Sequence, residues 1–184
     1  MPTPASSARR VPSDAADPAP TRVKRTRPGL ALAIVLGVVL LDQLTKFWAV
    51  HELAGAPVAI FGHDVDFRLA RNTGGAFSLF QAFTPLLAVI AIGVAFFLVR
   101  AVRRADDTLM IVALSLVLGG AVGNLLDRVF RSPGFLRGGV VDFVHLGPWP
   151  TFNLADASIT VGAVLLVVWA FRAEVHERAA DDAT

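Results

Sequence analysis

Four apolar stretches, each near the length of one membrane crossing, restrict the fold of this chain more than any other feature. They run from about Leu30 to Val50, Pro85 to Val102, Leu109 to Leu126 and Leu154 to Phe171. About 20 helical residues cross roughly 30 Å of hydrocarbon. A backbone in lipid must satisfy its own hydrogen bonds, so such stretches are expected to be helices. The chain has 184 residues, of which 54% are hydrophobic and 17% charged, and that apolar share exceeds the soluble norm. The expected fold is a membrane all-α core of four transmembrane helices, joined to a small extracytoplasmic β-containing segment. Residues 1–28, rich in Ala, Pro, Ser and Arg, read as a disordered cytoplasmic tail. Residues 29–172 form the four-helix membrane domain, and 173–184 a cytoplasmic C-terminal tail.

Basic residues orient the spans. Arg9, Arg10, Arg22, Lys24, Arg25 and Arg27 precede the first stretch. Arg100, Arg103 and Arg104 fill the loop between the second and third, and Arg172 and Arg178 follow the fourth. Cytoplasmic loops are enriched in Lys and Arg, so both termini and this loop are expected in the cytoplasm. Segments 51–84 and 127–153 then lie outside, with Trp48 and Trp149 at the outer interface and Trp169 at the inner one. Arg68, Arg71, Arg128, Arg131 and Arg137 run against the charge rule, which marks them for a specific job. A rival reading takes the first stretch and Ala54-Gly55-Ala56 as a cleaved signal peptide. Asp42 and Lys46 interrupt that stretch and speak against it. The N-terminal basic cluster belongs to membrane orientation rather than to nucleic-acid binding.

The outer segments carry strand signals. Val65, Phe67 and Leu69 alternate with Asp66, Arg68 and Ala70, and Arg71-Asn72-Thr73-Gly74-Gly75 is a turn signal. Val140, Val141, Phe143 and Val144 form a second β-prone run around Asp142. Strand pairing is not legible at this level.

Ionisable groups at a membrane boundary are expensive and point to function. Asp142 lies in the second β-prone run, and Asp156 opens the fourth apolar stretch after Phe152-Asn153-Leu154-Ala155. Two carboxylates joined by a short loop can share one proton and activate water without a metal or cofactor. Asn153 sits three residues before Asp156, on its side of a helix, and can donate to the carboxylate or to a substrate carbonyl.

Other polar residues surround this pair. Asp42 and Lys46 share a helical face at i, i+4. They read either as an interfacial ion pair that sets helix depth, as direct participants, or as groups that orient the site. Asn124, Asp127 and Arg128 close the third stretch at i, i+3 and i+4, after Gly119 and Gly123, whose spacing suits close helix packing. Asn124 and Arg128 suit a substrate backbone or headgroup, and Asp127 can pair with a nearby Arg. Asn72, before two glycines, reads as an ordinary turn or as a place of close backbone approach. Cysteine is absent, and His63 and His145 have no paired spacing, so no metal site and no cofactor are expected.

The motifs Asp42-Gln43-Leu44-Thr45-Lys46, Asn72-Thr73-Gly74, Gly119 through Arg128, Val141-Asp142-Phe143 and Phe152-Asn153-Leu154-Ala155-Asp156 together resemble the bacterial lipoprotein signal peptidases, the signal peptidase II family. The resemblance covers roughly residues 30–171, and Gly75 stands where many members carry Ala. It implies a membrane aspartic endopeptidase that cuts a diacylglyceryl-modified prolipoprotein just before its lipidated cysteine. It places the catalytic pair on Asp142 and Asp156 in the cytoplasmic (inner) membrane, and the charge pattern puts that pair near the outer face. It gives Asp42, Asn72, Asn124, Arg128 and Asn153 supporting places, to which the reading of the residues adds Lys46 and Asp127. It further implies membrane lipid as a partner and the cyclic peptide globomycin as an inhibitor.

Two other classes compete on the residues alone. A proton-coupled transporter or channel subunit also buries Asp, Asn and Arg, but needs them through the full membrane depth. A non-catalytic assembly protein would use the glycine faces and would not need both Asp142 and Asp156.

Overall fold

Runs of Leu, Val, Ile and Ala without internal proline favour unbroken helices once the backbone is in lipid. A computed structural model of the chain describes residues 27–62, 64–73 and 84–182. The expected tail up to residue 26, and the turn glycines Gly74 and Gly75, lie outside the described residues. Four helices follow the apolar stretches: α1 (Pro28–Glu52), α2 (Thr84–Arg104), α3 (Thr108–Phe130) and α4 (Leu154–Asp181). All are long and apolar enough to cross a membrane. Pro28 and Pro85 sit in first turns, where a missing N–H costs nothing. Asp107 caps α3, its carboxylate accepting the Met110 N–H at 2.9 Å. α4 runs past Phe171 because its polar end remains helix-forming and holds a Glu174–Arg178 ion pair at i, i+4.

α3 is the hub, with α1, α2 and α4 packed around it. Its glycines permit this. A Cβ on Gly119 would lie 2.8 Å from the Val38 Cβ of α1, and one on Gly120 would lie 2.6 Å from the Ser158 Oγ of α4. The outer faces stay apolar. Leu32, Leu36, Leu40, Phe96, Phe97, Val161 and Val164 are all exposed, as lipid-facing side chains must be.

Three strands form an antiparallel sheet in the order β1 (Val58–Phe61), β2 (Val65–Asn72), β3 (Val140–Leu146). The β2–β3 register sets Ala70 opposite Asp142 and Asn72 opposite Val140, with a bulge between Phe67 and Ala70. The sheet rests on the end of α1. Val141 and Phe143 pack with Ala49, Leu53, Phe67 and Leu69. Trp48 meets Phe67 and Phe143 edge-on, with ring centroids 5.5 and 6.2 Å away. This tryptophan therefore fastens the sheet to the helix. Asp66, on the opposite face from Phe67, is buried and pairs with Arg68, two residues along the same face.

Candidate active site

The buried charges begin with α1. Asp42 and Lys46 are both fully buried, so the pair is closed to both solvent and lipid. Lys46 Nζ lies 2.8 Å from Asp42 Oδ2 and 2.8 Å from Asp127 Oδ2 on α3. It also donates to Asn124 Oδ1 at 2.9 Å. The three donors of one ammonium are thus spent on three acceptors, the condition for tolerating a buried cation. Asp127 also binds Arg131 Nε at 2.5 Å and accepts the Val141 N–H at 3.2 Å, which ties α3 to β3. Asp42 Oδ1 accepts the Ala155 N–H of α4 at 2.9 Å. Gly123 makes room for this carboxylate, since a Cβ there would stand 2.7 Å from Asp42 Oδ2. Gln43 completes the cluster, donating to the Gly123 carbonyl at 3.1 Å.

The cluster supports two aspartates. Asn124 turns its Oδ1 to Lys46 and its Nδ2 to Asp156 Oδ1, at 2.8 Å. Asn153 joins the two carboxylates: its Nδ2 donates to Asp142 Oδ1 at 2.6 Å, while its own N–H reaches Asp156 Oδ2 at 3.3 Å. In return, Asn153 Oδ1 accepts the Asp156 N–H at 2.9 Å. This reciprocal exchange is a capping box at the start of α4. It fixes the backbone of Asp156, and the helix N-terminus favours a negative charge there. Asn72 also hydrogen-bonds Asp142. Burial, and after it the charge of Asp156, push the Asp142 carboxyl up to about 6, against the hydrogen bonds from Asn153 and Asn72 and the charge of Lys46.

Beside Asp156 opens a cavity of about 690 Å³, lined by Asn72, Leu146, Trp149, Phe152, Thr160 and Val161 among others. It offers mostly apolar walls with a few converging polar groups, the usual make-up of a binding site for an organic ligand. Arg128 is half-buried beside the aspartates, and its Nη1 is buried with no hydrogen-bond partner among the described residues. His145 lies on β3 opposite Asp66, and His63 falls outside the described residues. No group of His, Cys, Asp or Glu suited to a metal ion occurs among the described residues.

All nine site residues marked by the sequence thus gather at one end of the bundle, where α1 and α3 end, α4 begins and β2 and β3 cover them. The sequence reading missed the part of Gln43, whose amide faces two carboxylates, and of Thr151 and Thr160 on the cavity wall. The signal for Gln43 was its place between Asp42 and Lys46. Thr160 could have been found at i+4 from Asp156.

Fold and site define a multi-pass membrane protein that holds a pair of aspartates, supported by amides and a buried lysine, at one end of four helices. The chain belongs to the signal peptidase II family: the model of the family described as Signal peptidase (SPase) II matches residues 34–172. It is 48% identical over 159 residues to the lipoprotein signal peptidase of Rhodococcus jostii (strain RHA1), covering 85% of this chain and 79% of that one. It is 46% identical over 151 residues to the lipoprotein signal peptidase of Mycobacterium tuberculosis (strain ATCC 25618 / H37Rv), covering 82% and 74%. Among solved structures, a bacterial membrane enzyme determined by the in meso method at 2.3 Å resolution superimposes with a TM-score of 0.70 at 29% identity, covering 81% of this chain and 92% of that one. The chain is therefore a protease, and its four apolar helices make it a multi-pass protein of the bacterial inner membrane.

Proposed function

We propose that the protein is an aspartic endopeptidase that removes the signal peptide from diacylglyceryl-modified prolipoproteins, cutting just before the lipidated cysteine. Relatives named lipoprotein signal peptidase support the substrate class. The observation that carries the chemistry is Asn153, which hydrogen-bonds Asp142 and Asp156 at once beside an apolar cavity.

In this reading Asp156 is the base and Asp142 the acid. Asp156 accepts the Asn124 amide and a backbone N–H at a helix N-terminus, all of which favour its anion. Asp142 is the group whose carboxyl is pushed up to about 6, chiefly by burial. Asp156 takes a proton from water as the oxygen attacks the scissile carbonyl, and Asp142 gives its proton to the carbonyl oxygen. The tetrahedral intermediate then collapses. Asp142 takes back the hydroxyl proton, the C–N bond breaks, and Asp156 returns its proton to the cysteine amine. Each carboxylate ends as it began. The substrate arrives laterally through lipid, its signal helix in the membrane and its acyl chains beside the cavity.

Charge placement supports the orientation. Arg27, Arg100, Arg103, Arg104, Arg172 and Arg178 lie at or beyond the opposite end of the helices from the aspartates. With that end in the cytoplasm, both termini are cytoplasmic and the site is near the outer face. The transport reading fares less well, because the buried ionisable groups among the described residues gather at the sheet end and no chain of them runs through the bundle.

The test is an assay of purified protein on a diacylglyceryl-modified prolipoprotein. Asp142→Asn and Asp156→Asn each remove a proton carrier while keeping shape, and each is expected to abolish cleavage with insertion intact. Substantial turnover by either folded variant rejects the dyad. Globomycin is expected to inhibit the wild type, and EDTA to leave its activity unchanged. Loss in EDTA with rescue by a divalent ion points to a metallohydrolase.

A further inference from the structure

A second cavity lies at the far end of the bundle from the aspartates. α1 and α2 both pack on α3, and between them runs a groove of about 580 Å³. Leu32 and Val35 of α1 form one wall, Val99 of α2 the other, and Leu118 of α3 the floor. Arg27 and Arg103 line the same groove. Each stands at the terminus of its helix and is exposed. Neither guanidinium has a carboxylate partner among the described residues.

We propose that this groove is a binding site for one anionic glycerophospholipid. The argument rests on charge. Every lipid-facing groove is wetted by acyl chains, so apolar walls alone give no preference for one lipid over another. Two guanidiniums at the headgroup end of an acyl-shaped trough do give one. A phosphodiester oxygen pair matches the planar fork of Arg, and the single uncompensated negative charge of an anionic headgroup is attracted by both arginines. A zwitterionic headgroup brings its own cation and loses that gain. The same charges exclude the other chain that enters this membrane region: a signal peptide carries a basic segment before its apolar run, and Arg27 and Arg103 repel it. The acyl chain then fills the space that α1 and α2 leave open on α3.

Native mass spectrometry of the purified full chain tests this, with phosphatidylglycerol and phosphatidylcholine of matched chains added in detergent. Wild type is expected to retain one phosphatidylglycerol in preference to phosphatidylcholine. The double variant Arg27→Gln/Arg103→Gln is expected to weaken phosphatidylglycerol retention by about five-fold per arginine removed, with phosphatidylcholine unaffected. Arg104→Gln, which removes a nearby cation outside the groove, is expected to keep the preference. Equal retention of both lipids by wild type overturns the proposal. So does a preference undiminished in the double variant, or one lost as fully in Arg104→Gln, which would reduce it to general surface charge. A rise in KM for prolipoprotein in the double variant, with lipid retention unchanged, would give the groove to the substrate instead.

Discussion

Asn153 and Asp142 are joined by a 2.6 Å hydrogen bond from the asparagine amide, and the same side chain caps the helix that carries Asp156. One residue therefore sets the spacing of both carboxylates. Asn153→Ala is expected to lower cleavage by about ten- to a hundred-fold, the size of one lost hydrogen bond to a charged group. Asn153→Asp keeps a good helix cap but replaces the donor with a third carboxylate. It is expected to fold and to cleave still more slowly. Wild-type kinetics in Asn153→Asp would leave only the capping role.

The pH response follows from Asp142. Its carboxyl holds a proton up to about 6, well above the usual carboxylate range, chiefly through burial and then through Asp156. If the active form carries one proton on the dyad, kcat/KM falls as pH rises through the upper apparent value, which belongs to the pair. Stability moves in the same direction. A raised carboxyl value means that the folded state binds more protons than the unfolded one, so this contribution is complete below about 4 and is lost as pH rises through about 6. Asp142→Asn has no charge to bury. It is expected to match wild type in thermal unfolding near pH 4 and to exceed it by about 1 to 2 kcal/mol at pH 8, after discounting for screening. A stability gap that shrinks with rising pH contradicts the assignment.

Lys46 carries the next prediction. Its ammonium pairs with both Asp42 and Asp127 in a space closed to solvent. Lys46→Met fills the volume but leaves two carboxylates facing each other with only Arg131, on the Asp127 side, to offset them. The expected cost is about 3 to 5 kcal/mol, the range for breaking a buried pair from one side. Thermal unfolding in detergent measures it, and a loss below 1 kcal/mol would return Lys46 to the role of a depth anchor.

That last role is what the sequence favoured at least as much as direct catalysis, and the reason it did is instructive. The spacing of Asp42 and Lys46 gives their shared helical face, but nothing local reveals that Asp127 and the Ala155 N–H arrive from two other helices. The four spans were legible because apolar length is a property of each segment alone. Both longer strands were legible for a similar reason, whereas their register depends on a bulge and on contacts with α1. β1 left no signal: it has four residues, all exposed, so no alternation between faces marks it. The site was legible as motifs at fixed spacing. Its wiring was not, since the Asn124 link from Lys46 to Asp156 joins residues 78 and 32 apart in the chain.

Arg128 separates substrate contact from lipid contact. It follows Asp127 at the sheet end of α3, where Asp127 is already taken by Lys46 and Arg131. The Arg128 Nη1 is thus left buried without a partner among the described residues, close enough to Asp142 and Asp156 to feel their charge. A buried donor with nothing to bind costs stability unless a ligand completes it. The planar fork suits two hydrogen bonds to a peptide carbonyl or to the ester region of the diacylglycerol. The competing role is snorkelling to lipid phosphate, which needs only a long cationic side chain. Arg128→Lys keeps that ability and loses the fork. It is expected to express normally and to lower cleavage by about ten-fold or more, the size of one such lost bond. Unchanged kinetics on the lipidated substrate would assign Arg128 to lipid alone.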